Sequence, residues 1–398
     1  MPNPFIYGRA LSAPEFLGRQ PELRRITSRL LNGQSIAVIG GPNTGKTSLL
    51  NFVYDANRYI AGYETSSRRF FFVFMDAHVL RSVKMQSGFW VMALRSLIDY
   101  LKNSPNKHSE ALITAYNVAH QNSFGTFVLE QFLIVLHNSN LRLVLIIDEF
   151  DDFFSNPVFN KAEFYGGLRS LASRTNALSL VIASRRELQY LNDGTKTLNP
   201  LGSPYFNIFT ELRLNMLSKQ DFQQLLKKAK HFFNRKDTAF IETVSGRHPY
   251  LAQSAASLLW EVREDGKKGI DSYNAAGGEL YRESKKHFND TWNSWTDEIR
   301  KVVAIVALSH IPSLLGDTLP SNDLAHNLDD FLPEIEMLRE IGVLSEGRRE
   351  KWEIAQGALL WWLADELCRG IRNESNFTAW FKEQKLLKNQ RQKIWEIP

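Results

Sequence analysis

The sequence is poor in the features that mark exported, membrane-spanning or metal-built proteins. A single cysteine, Cys368, in 398 residues excludes an intrachain disulfide and any cysteine cluster for zinc, which fits a reducing compartment. No apolar run reaches the ~18 residues needed to cross a bilayer, and Met1-Pro2-Asn3-Pro4 opens without a charged stretch leading into an apolar one. The expectation is a cytoplasmic protein with no membrane partner. Charge of one sign is scarce too: 48 Lys and Arg against 43 Asp and Glu leave a net +5, a weak attraction for nucleic acid at most. No repeat period or low-complexity tract is visible. What is abundant is apolar and aromatic material, 43% hydrophobic with 26 Phe, 12 Tyr and 9 Trp, enough to fill the two or three cores this length calls for.

Gly40-Gly41-Pro42-Asn43-Thr44-Gly45-Lys46-Thr47 follows directly on the apolar run Ser35-Ile36-Ala37-Val38-Ile39. That is a phosphate-binding loop in the setting it requires. Glycines 40, 41 and 45 let successive backbone N–H groups turn towards phosphates at the start of a helix, where the dipole favours an anion. Lys46 is expected to reach the β- and γ-phosphates and Thr47 to ligate Mg²⁺, with Pro42, Asn43, Thr44 and Ser48 completing the cradle for ATP or ADP. A second apolar run, Leu141-Arg142-Leu143-Val144-Leu145-Ile146-Ile147, ends in Asp148 and Glu149. Its β-branched content predicts a strand buried on both faces. Asp148 is expected to hold Mg²⁺ through water, and Glu149 to orient or deprotonate the attacking water. Asp151 and Asp152 read as a solvated helix start.

Strands and helices alternate along the first half, which predicts an α/β fold with a parallel sheet. Strands are expected at Ile36–Ile39, Arg69–Met75 ending at Asp76, Leu143–Ile147, Ser179–Ala183 and Ile208–Leu214. Helices are expected from Gly45, Gly88, near Phe124 and near Phe159. Ser218 caps the next helix with Asp221 as partner, and the chain turns all-helical to about Trp260. Trp292 and Trp295 are expected on one connecting helix, which Asn274-Ala275-Ala276-Gly277-Gly278 would loosen.

Three further segments carry a family resemblance. Phe16-Leu17-Gly18-Arg19-Gln20-Pro21-Glu22-Leu23 resembles the "FxGRxxEL" segment of STAND and archaeal-type AAA ATPases, which implies that Phe16, Gly18 and Arg19 wrap the adenine. Leu178 to Ser184-Arg185 resembles their sensor-1 strand, which implies Ser184 and Arg185 at the γ-phosphate, ahead of Arg186. Gly246-Arg247-His248-Pro249-Tyr250-Leu251 is similar to the "GGHPYL" lid signature, with Arg247 in place of its second glycine. The resemblance implies His248 and Pro249 over the base. Residues 296 to 370 resemble the winged-helix module of the same ATPases, with helices at Asp297–Leu308, near Ser321–Asn327 and at Phe331–Ile341, a Trp352–Ile354 strand and a tryptophan-bearing last helix.

The implied architecture is a P-loop NTPase parallel sheet of the additional-strand AAA class over 1–215, a helical lid over 216–264, a helical connector over 265–295, a winged helix over 296–370 and a tail over 371–398. The implied function is a slow, Mg²⁺-dependent ATPase switch of STAND type that forms a homo-oligomer or controls a separate effector or sensor protein, in bacterial conflict or antiphage defence. The alternative is a DNA-associated AAA ATPase of initiator or transposition-regulator type. The acidic third helix, with Asp330, Glu334, Glu336 and Glu340 against Arg339, disfavours DNA. The only basic stretch beside it is the turn with Arg348, Arg349 and Lys351.

Overall fold

In a computed structural model of the chain, residues 2–55, 69–103, 105, 108–315, 326–347 and 352–371 are described. They divide into two units: residues 10–41 with 45–214, and the described residues of 1–9, 42–44 and 215–398.

The first unit runs α1 (Gln20–Leu31), β1 (Ser35–Ile39), α2 (Lys46–Asp55), β2 (Arg69–Asp76), α3 (Gln86–Asn103), α4 (Ser109–Gln121), α5 (Thr126–Asn138), β3 (Leu141–Asp148), α6 (Ala162–Arg174), β4 (Leu178–Ser184), α7 (Leu188–Thr195) and β5 (Phe209–Arg213). All five strands pair in parallel, in the order β2-β3-β4-β1-β5. A parallel sheet is covered on both faces, so its central strands need no polar alternation, and β1 and β4 are buried at every residue. Leu143, Leu145 and Ile147 of β3 enter one apolar layer, with Phe89 of α3, Phe132 of α5 and Leu168 of α6. Val144 and Ile146 enter the other, with Ile26 of α1 and Leu49 and Leu50 of α2. β4 lies between β1 and β3, which is the additional strand of the expected class.

Helices depart from expectation where local chemistry intervenes. α6 begins at Ala162 and not near Phe159, because the Asn156 side chain accepts from Val158 N (2.9 Å) and its carbonyl from Asn160 N (2.8 Å), which folds that stretch into turns. α4 was not anticipated, although Leu112, Tyr116 and Ala119 fall at helical spacing; it buries only Ser109, Leu112 and Ala119 fully. Nor were α1, which opens with a proline in its first turn, and α7.

The second unit contains α8 (Lys219–Leu226), α9 (Arg235–Ser245), α10 (Pro249–Glu264), α11 (Gly269–Ser294), α12 (Asp297–Leu315), α13 (Leu332–Glu340), β6 (Leu344–Glu346), β7 (Trp352–Ile354) and α14 (Gly357–Ile371). Ser218 Oγ accepts from Asp221 N at 3.0 Å to start α8, and a two-armed capping box of Asn234 and Asp237 starts α9. Asp237 is fully buried; Arg263 of α10 donates to it at 2.8 Å, and so does the Tyr273 hydroxyl of α11. That charge is therefore satisfied by three helices at once. Asn3 Nδ2 donates to Ser257 Oγ at 2.7 Å and Phe5 stacks on Phe233 at 5.6 Å, which lays the first residues along α10.

Residues 274–278 do not loosen the connector. They sit inside α11, a continuous helix of 26 residues, where Gly277 faces the Trp361 ring, which a Cβ would meet at 3.4 Å. Trp292 is on α11, whereas Trp295 caps its end with extended backbone, so the two do not share a helix. Trp362 of α14 is buried against Phe288 and Trp292, as core. β6 and β7 pair antiparallel, and the order α12, α13, β6, β7, α14 is compatible with a winged helix. The helix expected near Ser321–Asn327 falls mostly outside the described residues, and the Arg348–Lys351 turn and the 372–398 tail lie wholly outside them. Among the described residues no helix is long and apolar enough to cross a membrane.

Two stability outcomes follow. Gly246 ends α9 at φ 55°, and a Cβ there would sit 2.6 Å from the Ala355 carbonyl oxygen. Gly246→Ala should cost about 2–4 kcal/mol, left-handed strain plus overpacking, in urea unfolding. Gly266→Ala, at φ 88° with nothing within 4 Å, should cost only about 1 kcal/mol. His287 of α11 packs against His248 (4.9 Å) and Tyr250 (5.2 Å), and its Nδ1 lies 3.1 Å from Asn43 Nδ2 in the same unit. An amide nitrogen only donates, so Nδ1 accepts and the ring is neutral. Burial pushes its pKa down from 6.5 to about 4, opposed by Asp290. The folded state thus binds this proton less tightly than the unfolded one: the contribution is full above pH 6.5 and is lost as pH falls towards 4. The span is worth about 3 kcal/mol. His287→Gln should flatten the loss of unfolding free energy between pH 7 and pH 4 by about that amount, and an unchanged decline would contradict it.

Candidate nucleotide-binding site

Parallel strands deliver their C-terminal ends to one edge, and the loop between β1 and α2 is anchored there by Gly40 N donating to the Ser184 carbonyl at 3.2 Å. Lys46, the first residue of α2, is only 6% exposed, and its ammonium donates to the Gly40 carbonyl (2.9 Å) and the Gly41 carbonyl (3.0 Å). Burial pushes its pKa down, against the pull of Glu149. Gly45 takes φ 93°, a value glycine reaches without strain, and Asn43 takes φ 58°.

Thr47 Oγ1 donates to Asp148 Oδ2 at 2.7 Å, and Glu149 N donates to Asp148 Oδ1 at 3.0 Å. Burial raises the Asp148 pKa, and these two bonds work the other way. A hydroxyl and a buried carboxylate are the hard oxygen donors Mg²⁺ takes, together with phosphate and water. Among the described residues no three His, Cys, Asp or Glu side chains gather to form a metal cage, so the pair fits an ion whose other ligands are not side chains.

Glu149 stands in the left-handed region, φ 49° and ψ 43°. One amino nitrogen of Arg185 reaches both of its carboxylate oxygens at 3.2 Å. Arg185 N donates to Asp151 Oδ1 at 3.2 Å, and the buried Ser184 hydroxyl donates to the Arg186 carbonyl and accepts from Arg186 N, both at 2.9 Å. The hydroxyl proton is thereby committed to the turn that presents Arg185. Arg186 lies over the Tyr190 ring at 4.1 Å. Burial disfavours charge on Arg185, yet the bond and charge of Glu149, with Asp151 and Asp152, raise its pKa overall. Asp151 and Asp152 do lie in the first turn of a short 3-10 helix, Phe150–Ser155, as expected, but both are engaged by neighbours and not merely solvated. Asp152 accepts from Arg81 at 2.8 Å and pairs with His78 at 2.6 Å, which ties the strand ends of β2 and β3 together.

Elsewhere in the first unit, Phe16 packs on Phe52 of α2 at 4.9 Å. Gly18 (φ 76°) and Arg19 (φ 59°) turn the chain into α1, and the buried Arg19 bonds Glu22 at 3.0 Å, a partner the sequence does not name. Ser48 Oγ accepts from Leu11 N at 3.0 Å. In the second unit His248 is the N-cap of α10 and Pro249 its first residue. Arg247 keeps φ 64°, the conformation a glycine would take in its place. His287 and the Asn43 contact escaped sequence reading because both partners are distant in the chain and nothing local marks either.

The sequence model of the family Novel STAND NTPase 2 matches residues 45–310. Among solved structures, the Walker-type ATPase PABY2304 of Pyrococcus abyssi aligns with TM-score 0.54 at 13% identity, over 90% of this chain and 99% of that one. The ORC2 protein of Aeropyrum pernix, in its ADPNP–ADP complexes, aligns with TM-score 0.50 at 15% identity, over 91% and 97%. Identities this low carry fold alone. No curated protein matches the sequence. With the family match covering most of the chain and the P-loop sheet beneath it, the chain belongs to the Novel STAND NTPase 2 family of P-loop ATPases.

Proposed function

We propose that the chain is a STAND-like nucleotide switch that binds ATP, hydrolyses it slowly, and controls its own assembly or a separate effector, in bacterial conflict or antiphage defence. The observation that carries this is the gathering of Lys46, the Thr47–Asp148 pair and the Glu149–Arg185 pair at the ends of β1, β3 and β4. Lys46 and the loop amides would bind the β- and γ-phosphates, and Thr47 and Asp148 would hold Mg²⁺, which neutralises developing phosphate charge. Glu149 takes a proton from water as its oxygen attacks the γ-phosphorus, and ADP leaves with the bridging oxygen. Arg185 reads the γ-phosphate. His248 and Pro249 meet the base, residues 216–264 act as lid, and 296–370 act as a winged-helix latch.

A latch is favoured over a DNA reader by charge on α13. Its exposed Arg339, the single cation of the helix, is already paired with Glu336 (2.5 Å) and Glu346 (3.2 Å). What remains is acidic, which phosphates repel. Glu336→Lys should alter nucleotide-dependent assembly and leave duplex binding weak at physiological salt; tight, salt-sensitive binding by the parental chain would promote the initiator-like alternative.

Lys46→Ala should abolish measurable ATP binding, since the buried cation bonded to the loop carbonyls is lost. Undiminished affinity would remove the P-loop assignment. Arg185→Ala should weaken ATP binding roughly tenfold or more and spare ADP, because a hydrogen bond to a charged group is lost only when a γ-phosphate is present. Equal losses for both nucleotides would make Arg185 a general binding residue.

A further inference from the structure

Glu149 and Arg185 are assigned to different tasks above, yet they hold each other. One guanidinium nitrogen spans both carboxylate oxygens at 3.2 Å, and neither backbone is free to turn away. Glu149 N is tied to Asp148 Oδ1, Arg185 N to Asp151 Oδ1, and the Ser184 hydroxyl closes the turn after β4. Only the two side chains can swing. With 46% of the Arg185 side chain and 22% of the Glu149 side chain exposed, the pair is solvent-screened and weak enough to be exchanged. We propose, on the reading of Arg185 as the γ-phosphate contact, that Arg185 is also the positioning residue for Glu149: the ion pair holds the base out of use until a γ-phosphate takes the guanidinium away.

The physical ground is competition for one cation. With one guanidinium nitrogen at 3.2 Å from both of its carboxylate oxygens, Glu149 has fewer lone pairs to turn towards a water than it has when released. A terminal phosphate carries more charge and more acceptor oxygens than a carboxylate, so it wins Arg185. ADP presents no such group, and the pair stays closed. Release of the base and recognition of the substrate then become one event, and the left-handed strain at Glu149 is held where that exchange occurs.

The exchange is read from binding alone, with the full chain, ADPNP as the ATP mimic and ADP as control. Glu149→Gln removes the competitor for Arg185 and should tighten ADPNP by about fivefold, the equivalent of about 1 kcal/mol. In an Arg185→Ala background the same change should tighten it much less, since only general charge relief remains, and ADP should move in neither background. Arg185→Lys, which keeps the charge, should restore part of the difference. An identical effect of Glu149→Gln in both backgrounds, or a parallel shift in ADP, would overturn the exchange. Failure of the sensor reading itself looks different: Arg185→Ala alone would weaken ADPNP and ADP equally. Retained ADP binding shows that each variant is folded.

Discussion

Because β4 is hydrogen-bonded in parallel to both β1 and β3, with Ile39 opposite Ser184 and Ile147 opposite Ile182, three chain segments far apart in sequence finish at one edge of the sheet. The loop after β1, the carboxylates ending β3 and the arginine after β4 owe their proximity to that register. A slip of one residue in β3 would exchange the faces of Ile147 and Asp148, sending the carboxylate into the α3–α6 layer and a methyl group towards Thr47. The cost of burying the Asp148 carboxylate in that apolar layer, away from Thr47, opposes it. Stability of the core and geometry of the site are therefore the same constraint.

Of the eight non-glycine residues with left-handed backbone among the described residues, four stand where chemistry is expected. Arg19, Asn43, Glu149 and Arg247 all hold left-handed backbone without being glycine, each at a cost of about 1–2 kcal/mol. Bonds nearby hold them there: Glu22 for Arg19, His287 for Asn43 and Asp148 for Glu149. Such positions persist only where surrounding structure over-determines them, and a bound phosphate or base would complete that environment.

The sheet was legible from sequence because its strands are short apolar runs, β-branched in β1, β3 and β4 and phenylalanine-rich in β2, and the loop at 40–47 needs no tertiary knowledge to identify. Helices were legible in proportion to their apolar stripe. α4 carries Leu112, Ile113, Tyr116, Val118 and Ala119 but buries few of them fully, and the 274–278 stretch of α11 reads as a hinge although it lies in an unbroken helix with Gly277 facing Trp361. Chemistry that depends on partners could not be read at all. Arg185 could be nominated, but not its grip on Glu149; Asp152 passed for a solvated residue until Arg81 and His78 stood beside it.

A switch that reads the γ-phosphate must have two states that differ in structure, whatever effector follows. Hydrogen–deuterium exchange over residues 216–264, compared between ADP-bound and ADPNP-bound full-length chain, measures that difference most directly. The switch predicts distinct amide protection in α8 to α10 for the two nucleotides at saturation. Superimposable exchange in both, with binding of both established, would contradict it and leave an ATPase without a switch.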